Sequence, residues 1–125
     1  MIKSNLIIES VDEFDQRTIE EVQADKIENE FEIKYQYRNE FGQCSISIFK
    51  ESVEIIRKGE IESYQILKKG ETTDFTYKTP YIEKHFQIYT YELAYIEKQL
   101  TTRYAIYDNG IKINSLKIKI EEKNN

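Results

Sequence analysis

Every-other-residue alternation dominates this chain, and it admits little besides β-sheet. Phe31, Ile33, Tyr35 and Tyr37 alternate with Glu32, Lys34, Gln36 and Arg38, which is the pattern of a strand with one buried and one wet face. Asn39-Glu-Phe-Gly42 follows as a short loop whose glycine tolerates a positive φ. Cys44, Ile46 and Ile48 then alternate with Ser45 and Ser47, so the two segments read as a β-hairpin.

The same period continues to the end. Val53, Ile55 and Arg57 share one parity before the turn at Lys58-Gly59, and residues 61–67 form a mixed-parity strand closed by Lys68-Lys69-Gly70. Phe75 and Tyr77 alternate with Thr76 and Lys78 up to Thr79-Pro80. From His85 to Ile96 both parities carry apolar residues, which predicts a central strand covered on both sides. Leu100 to Ile106 leads into Asp108-Asn109-Gly110, the strongest hairpin signal in the chain. Ile111 and Ile113 have one parity and Leu116, Ile118 and Ile120 the other, which predicts a β-bulge at Asn114-Ser115.

Near the start, Leu6 and Ile8 suggest a first strand. Residues 17–28 fit a short helix or a strand. Short connections and no helical crossovers make the sheet antiparallel. The expected fold is all-β: a closed or nearly closed up-and-down barrel of 8–9 strands, calycin- or lipocalin-like, with at most one short helix. Closure removes the exposed edges. The expected organisation is one domain over residues 1–125, a size that suits one core.

Charge argues against nucleic acid as a partner. Net charge is −5. Residues 1–62 carry eight Lys/Arg against fifteen Asp/Glu, and residues 63–125 carry ten against eight, with the lysines scattered. A duplex binder needs a concentrated basic face. No run approaches the ~18 apolar residues of a membrane helix. One cysteine, Cys44, has no internal disulfide partner, and Met1 to Glu9 lacks a leader-like apolar core. Both favour the cytoplasm. Residues 121–125 read as a frayed polar tail. Isoleucine outnumbers leucine 20 to 5; this suits strands but also follows from an AT-rich genome, so the placement of these residues carries the weight.

The run Tyr64-Gln-Ile-Leu-Lys-Lys-Gly70, then Phe75-Thr-Tyr-Lys-Thr-Pro-Tyr81, then the long strand from His85, resembles the YwiB-like family of uncharacterised bacterial proteins. Ile56-Arg57-Lys58-Gly59 and the closing pair from Tyr104 to Ile120 fit the same family. The resemblance implies a calycin-like barrel and carries no activity with it. Two departures bear on local loop shape: Ile82 stands where the family pattern has Gly, and residues 24–30 lack its small-then-aromatic pattern.

No catalytic constellation emerges, and the expectation is a protein that is not an enzyme. His85 is the only histidine and follows a turn beside Lys84, as a surface residue does. One His and one Cys do not make a zinc site, and no cofactor is expected. Cys44 shares parity with Ile46 and Ile48, which makes it an inert core thiol. The paired glutamates alternate with apolar residues as a solvent face does. The four glycines sit at turns, so no phosphate loop is present.

Two features stand out. Arg57 faces inward at a barrel rim, where a charged group needs a partner; it caps the barrel end or, with Tyr77 and Tyr81, contacts a small, partly apolar ligand. Tyr89, Tyr91 and Tyr95 form either core filling or an outer stripe for a protein partner or a second copy.

Overall fold

The computed structural model describes residues 2–123. Ten strands make up the fold, and the described residues contain no helix. They are β1 (Ile2–Asp12), β2 (Arg17–Glu28), β3 (Ile33–Asn39), β4 (Gly42–Ile48), β5 (Val53–Lys58), β6 (Glu62–Leu67), β7 (Thr72–Lys78), β8 (Glu83–Ile96), β9 (Gln99–Asp108) and β10 (Ile111–Lys123). Each strand pairs antiparallel with its neighbours in sequence, and β1 pairs with β10 from Asn5↔Lys123 to Asp12↔Leu116. The meander is therefore a closed barrel.

The expected 8–9 strands become ten because residues 17–28 form β2. A helix would have put Ile19, Val22 and Ile27 on one side. Instead Val22 and Ala24 pack inward, while Ile19 and Ile27 are exposed. The ten-residue ladder of β1 against β2, Ile2↔Lys26 to Val11↔Arg17, supplies the backbone partners that decide between the two.

Side chains at the turns hold the loops. Asp12 Oδ1 accepts from the amides of Phe14 and Gln16, and Asn29 Oδ1 from those of Phe31 and Glu32. Thr79 Oγ1 accepts from Tyr81 and Ile82 at 3.2 and 3.1 Å. These short side chains mimic a backbone turn. Ile82 has no positive φ, so its position in this turn does not require glycine. Gly42 and Gly59 have a different task. A Cβ on Gly42 would lie 2.4 Å from the Lys58 carbonyl, and one on Gly59 equally close to that of Phe41. The β3–β4 and β5–β6 tips touch there, backbone against backbone.

Inward residues fill the middle of the barrel. Leu6, Tyr35, Ile46, Val53, Leu67 and Ile88 are almost fully buried, as are Leu100 and Tyr104. Each aliphatic side chain so buried contributes roughly 1.5–3 kcal/mol. Two bulges shift parity. Ile113 is the extra residue in β10, one or two positions before the place expected. Tyr91 is the extra residue in β8. Phe86, Ile88 and Thr90 face inward before it, and Leu93 and Tyr95 after it. The two apolar parities of β8 thus come from a phase change, and the strand is not covered on both sides. The expected frayed tail is also corrected: residues 121–123 belong to β10, and the Glu122 amide donates to the Lys98 carbonyl at 3.0 Å. Asn124 and Asn125 lie outside the described residues.

Candidate functional site

The loops at residues 29–32, 49–52 and 68–71 ring one end of the barrel. Between them opens a cavity of about 870 Å3. Its floor is Ile33, Ile48, Val53, Leu93, Tyr95 and Leu100, all of them inward positions near strand ends. The rim is charged: Glu28, Glu30, Glu32, Glu51 and Glu71 stand against Lys50, Lys68 and Lys69. Lys68 pairs with Glu71 at 3.5 Å, and Glu28 lies 3.8 Å from Lys26. An apolar floor beneath a polar rim suits a partly apolar molecule, and the volume lies within the ~300–1,000 Å3 of small-molecule sites.

A polar network lies behind the floor. The hydroxyls of Tyr95 and Tyr35 are 3.0 Å apart. Lys26 and Glu122 form an ion pair whose side chains are 10% and 5% exposed. Lys26 Nζ is 3.2 Å from Oε2 and 3.0 Å from Oε1, and the Oε1 contact is Coulombic, with no aligned hydrogen bond. Burial pushes the Glu122 carboxyl up, but hydrogen bonds from Lys26 and Ser4 and the charges of Lys26 and Lys98 outweigh it, leaving the carboxyl below its ordinary value. Burial likewise works against the Lys26 ammonium, and Glu122 overcomes it and raises Lys26. Burial first, and then Tyr95 and Glu122, push the Tyr35 hydroxyl far up, so it stays protonated and able to donate.

Arg57 sits at the opposite end. It is four residues from Val53 along β5, about 13 Å at the usual rise. It faces inward beside Tyr37, with its guanidinium 5.6 Å from the Phe41 ring, and its Nε is buried without a hydrogen-bond partner. Burial pushes the Tyr37 hydroxyl up, Cys44 and Glu20 add to this, and Arg57 opposes it. Tyr77 is an inward neighbour two strands away at the same level, through Arg57↔Ser63↔Tyr77. Tyr81 is 91% exposed on the loop after β7. None of Arg57, Tyr77 and Tyr81 lines the cavity.

The three stripe tyrosines separate at the β8 bulge. Tyr89 and Tyr91 lie outside with ring centroids 5.0 Å apart, and Arg103 stacks over Tyr91 at 4.7 Å. Tyr95 points inward to the cavity floor and leaves the stripe. His85 is exposed on the outer face, 3.3 Å from Glu83 and 3.4 Å from Thr76. Cys44 is buried and free. Among the described residues no three His, Cys, Asp or Glu side chains are grouped to hold a metal.

A family model described as Domain of unknown function (DUF1934) matches residues 8–120. The chain belongs to the DUF1934 family. Among solved structures, the DUF1934 barrel is similar to the ywiB protein from Bacillus subtilis. The TM-score is 0.77 at 16% identity, over 98% of this chain and 92% of that one. At that identity the likeness establishes the shared fold. Together the two matches bear out the YwiB-like resemblance. No curated protein matches the chain.

Sequence reasoning missed Lys26, Glu122, Tyr35 and Tyr95 as a group. The signal was present in part: Glu122 continues the inward parity of Leu116, Ile118 and Ile120, as Lys26 continues that of Val22 and Ala24.

Proposed function

We propose that this DUF1934 protein is a non-catalytic binding barrel that takes a small, partly apolar ligand into the mouth between residues 29–32, 49–52 and 68–71. The observation that carries this reading is the cavity of about 870 Å3 over Ile33, Ile48, Val53, Leu93 and Leu100. The filled middle of the barrel keeps a ligand in this mouth from reaching the Arg57 end. The mouth replaces Arg57, Tyr77 and Tyr81 as the contact set. The buried single thiol Cys44 suits a reducing compartment, and the reading places the protein in the cytoplasm.

Calorimetric titration with decyltrimethylammonium, decanoate and decanol tests the reading, alongside Leu93→Trp, which fills the mouth from a half-buried position. Saturable binding of at least one compound, lost in the folded Leu93→Trp variant, supports it. Binding that survives the substitution refutes the location. A second reading, a protein-contact face at Tyr89 and Tyr91, draws support from the exposed ring of Tyr91 stacked under Arg103. Concentration-dependent sedimentation that Tyr91→Ser abolishes would favour that face as a self-association surface.

A further inference from the structure

One wall of the mouth is the edge of a strand. β7 pairs with β8 only from Lys78↔Glu83 to Thr72↔Tyr89. The 68–71 loop then crosses to Thr90, where the Gly70 amide donates to the Thr90 carbonyl at 2.8 Å and Lys69 bridges Thr90 in parallel. Beyond that point β8 continues to Ile96, paired with β9 through Glu92↔Arg103 to Ile96↔Gln99. Among the described residues nothing pairs with Glu92–Ile96 on its other side.

The cavity reaches that edge. A cavity that met only the inner face of β8 would touch alternate residues. This one is lined by three consecutive residues, Leu93, Ala94 and Tyr95, so it wraps the backbone itself. Every second residue of Glu92–Ile96 turns its N–H and C=O toward the unpaired side. Unpaired edges invite added strands, and natural barrels normally abolish them. Here the Tyr91 bulge and the loop contact at Thr90 keep the free edge to about one short strand.

Resting on the mouth as the binding site, we propose that its ligand is an extended peptide segment that adds to β8 along Glu92–Ile96. Such binding draws affinity from main-chain hydrogen bonds and selectivity from alternate side chains. On one parity the peptide presents apolar side chains beside Leu93 and Tyr95, over the floor at Val53 and Leu100. On the other it presents basic ones. Five carboxylates against three ammonium groups line the mouth, and Glu92 lies on the outer parity of the edge. The partner is therefore an alternating apolar and basic segment.

The test uses the full chain and a fluorescein-labelled, acetylated six-residue peptide alternating Lys and Val, read by anisotropy. Two analogues carry N-methyl groups, one on the lysines and one on the valines. Only one edge of an added strand pairs with β8. One analogue should therefore lose binding by about tenfold or more while the other matches the parent. Amide exchange at alternate residues of Glu92–Ile96 should slow on binding. A Glu/Val peptide should bind about tenfold more weakly at low salt, with the gap closing at high salt.

Two analogues that bind equally, whether like the parent or equally weakened, overturn the strand. So does a peptide that fails to bind where decyltrimethylammonium binds, which leaves the mouth as a small-amphiphile site. If neither binds, both readings fall.

Discussion

Replacing Glu122 by Gln should unfold this barrel more readily than any change at the rim. At 3.0 Å the Lys26–Glu122 pair has a gross attraction of several kcal/mol at an effective dielectric near 20, much of it offset by desolvation. Removing one member of a buried pair typically costs about 3–5 kcal/mol, because the other is left charged and unpaired. Lys26 would keep Glu28 at 3.8 Å and the Tyr35 ring at 5.8 Å, so the expected cost falls to about 2–3 kcal/mol. With an unfolding entropy of about 2.1 cal/mol/K per residue, a chain of this length should lose roughly 8–12 °C in Tm.

The pH dependence follows from the two directions. Glu122 is held below its ordinary 4.5, so its contribution is present above that value and is lost as pH falls through the folded pKa. Lys26 is held above 10.5, so its contribution is present below that value and is lost as pH rises through the folded pKa. The gap between wild type and Glu122→Gln should be flat between these limits and shrink in acid. Lys26→Met with Glu122→Met should recover most of the loss, since apolar replacements of similar volume remove the desolvation cost as well. Calorimetry and urea unfolding of all three chains across pH measure this. A loss below about 1 kcal/mol for Glu122→Gln, or a double variant no better than the single, would refute the account.

Four further outcomes are expected. Gly59→Ala should cost at least ~2 kcal/mol by urea unfolding, because its Cβ would meet the Phe41 carbonyl at 2.4 Å. Gly70→Ala, which meets nothing within 4 Å but holds a φ of +75°, should cost only about 1 kcal/mol. Tyr95→Phe should remove the Tyr35–Tyr95 hydroxyl contact and cost about 1 kcal/mol; an unchanged melting midpoint would show that the contact does not stabilise the barrel. Arg57→Met keeps the stem and removes a buried Nε that has no partner, so stability should change by less than ~1 kcal/mol, and a loss of 3 kcal/mol or more would mean that Arg57 is paired in solution.

Period-two alternation is a local property, and so were its consequences. Phe31 to Ile48 and Leu100 to Gly110 announce strands and turns because side chains alternate across any strand, whatever it pairs with. The antiparallel meander and its closure also followed, since short connections leave no other route and open edges are costly. What depends on a neighbour was not legible. β2 became a strand because β1 needed a partner. The Tyr91 bulge turned Tyr95 inward. Tyr89 makes the outer parity of β8 apolar before the bulge, so alternation there did not separate a phase shift from two apolar faces, whereas at the cleaner switch in β10 it did. Lys26 and Glu122 meet on the inner face over β1, the strand between theirs, 96 residues apart in the chain. Only the closed barrel decided where the lumen fills with side chains and where it opens. That depends on the summed volumes of residues from all ten strands, and no single stretch of sequence contains that sum.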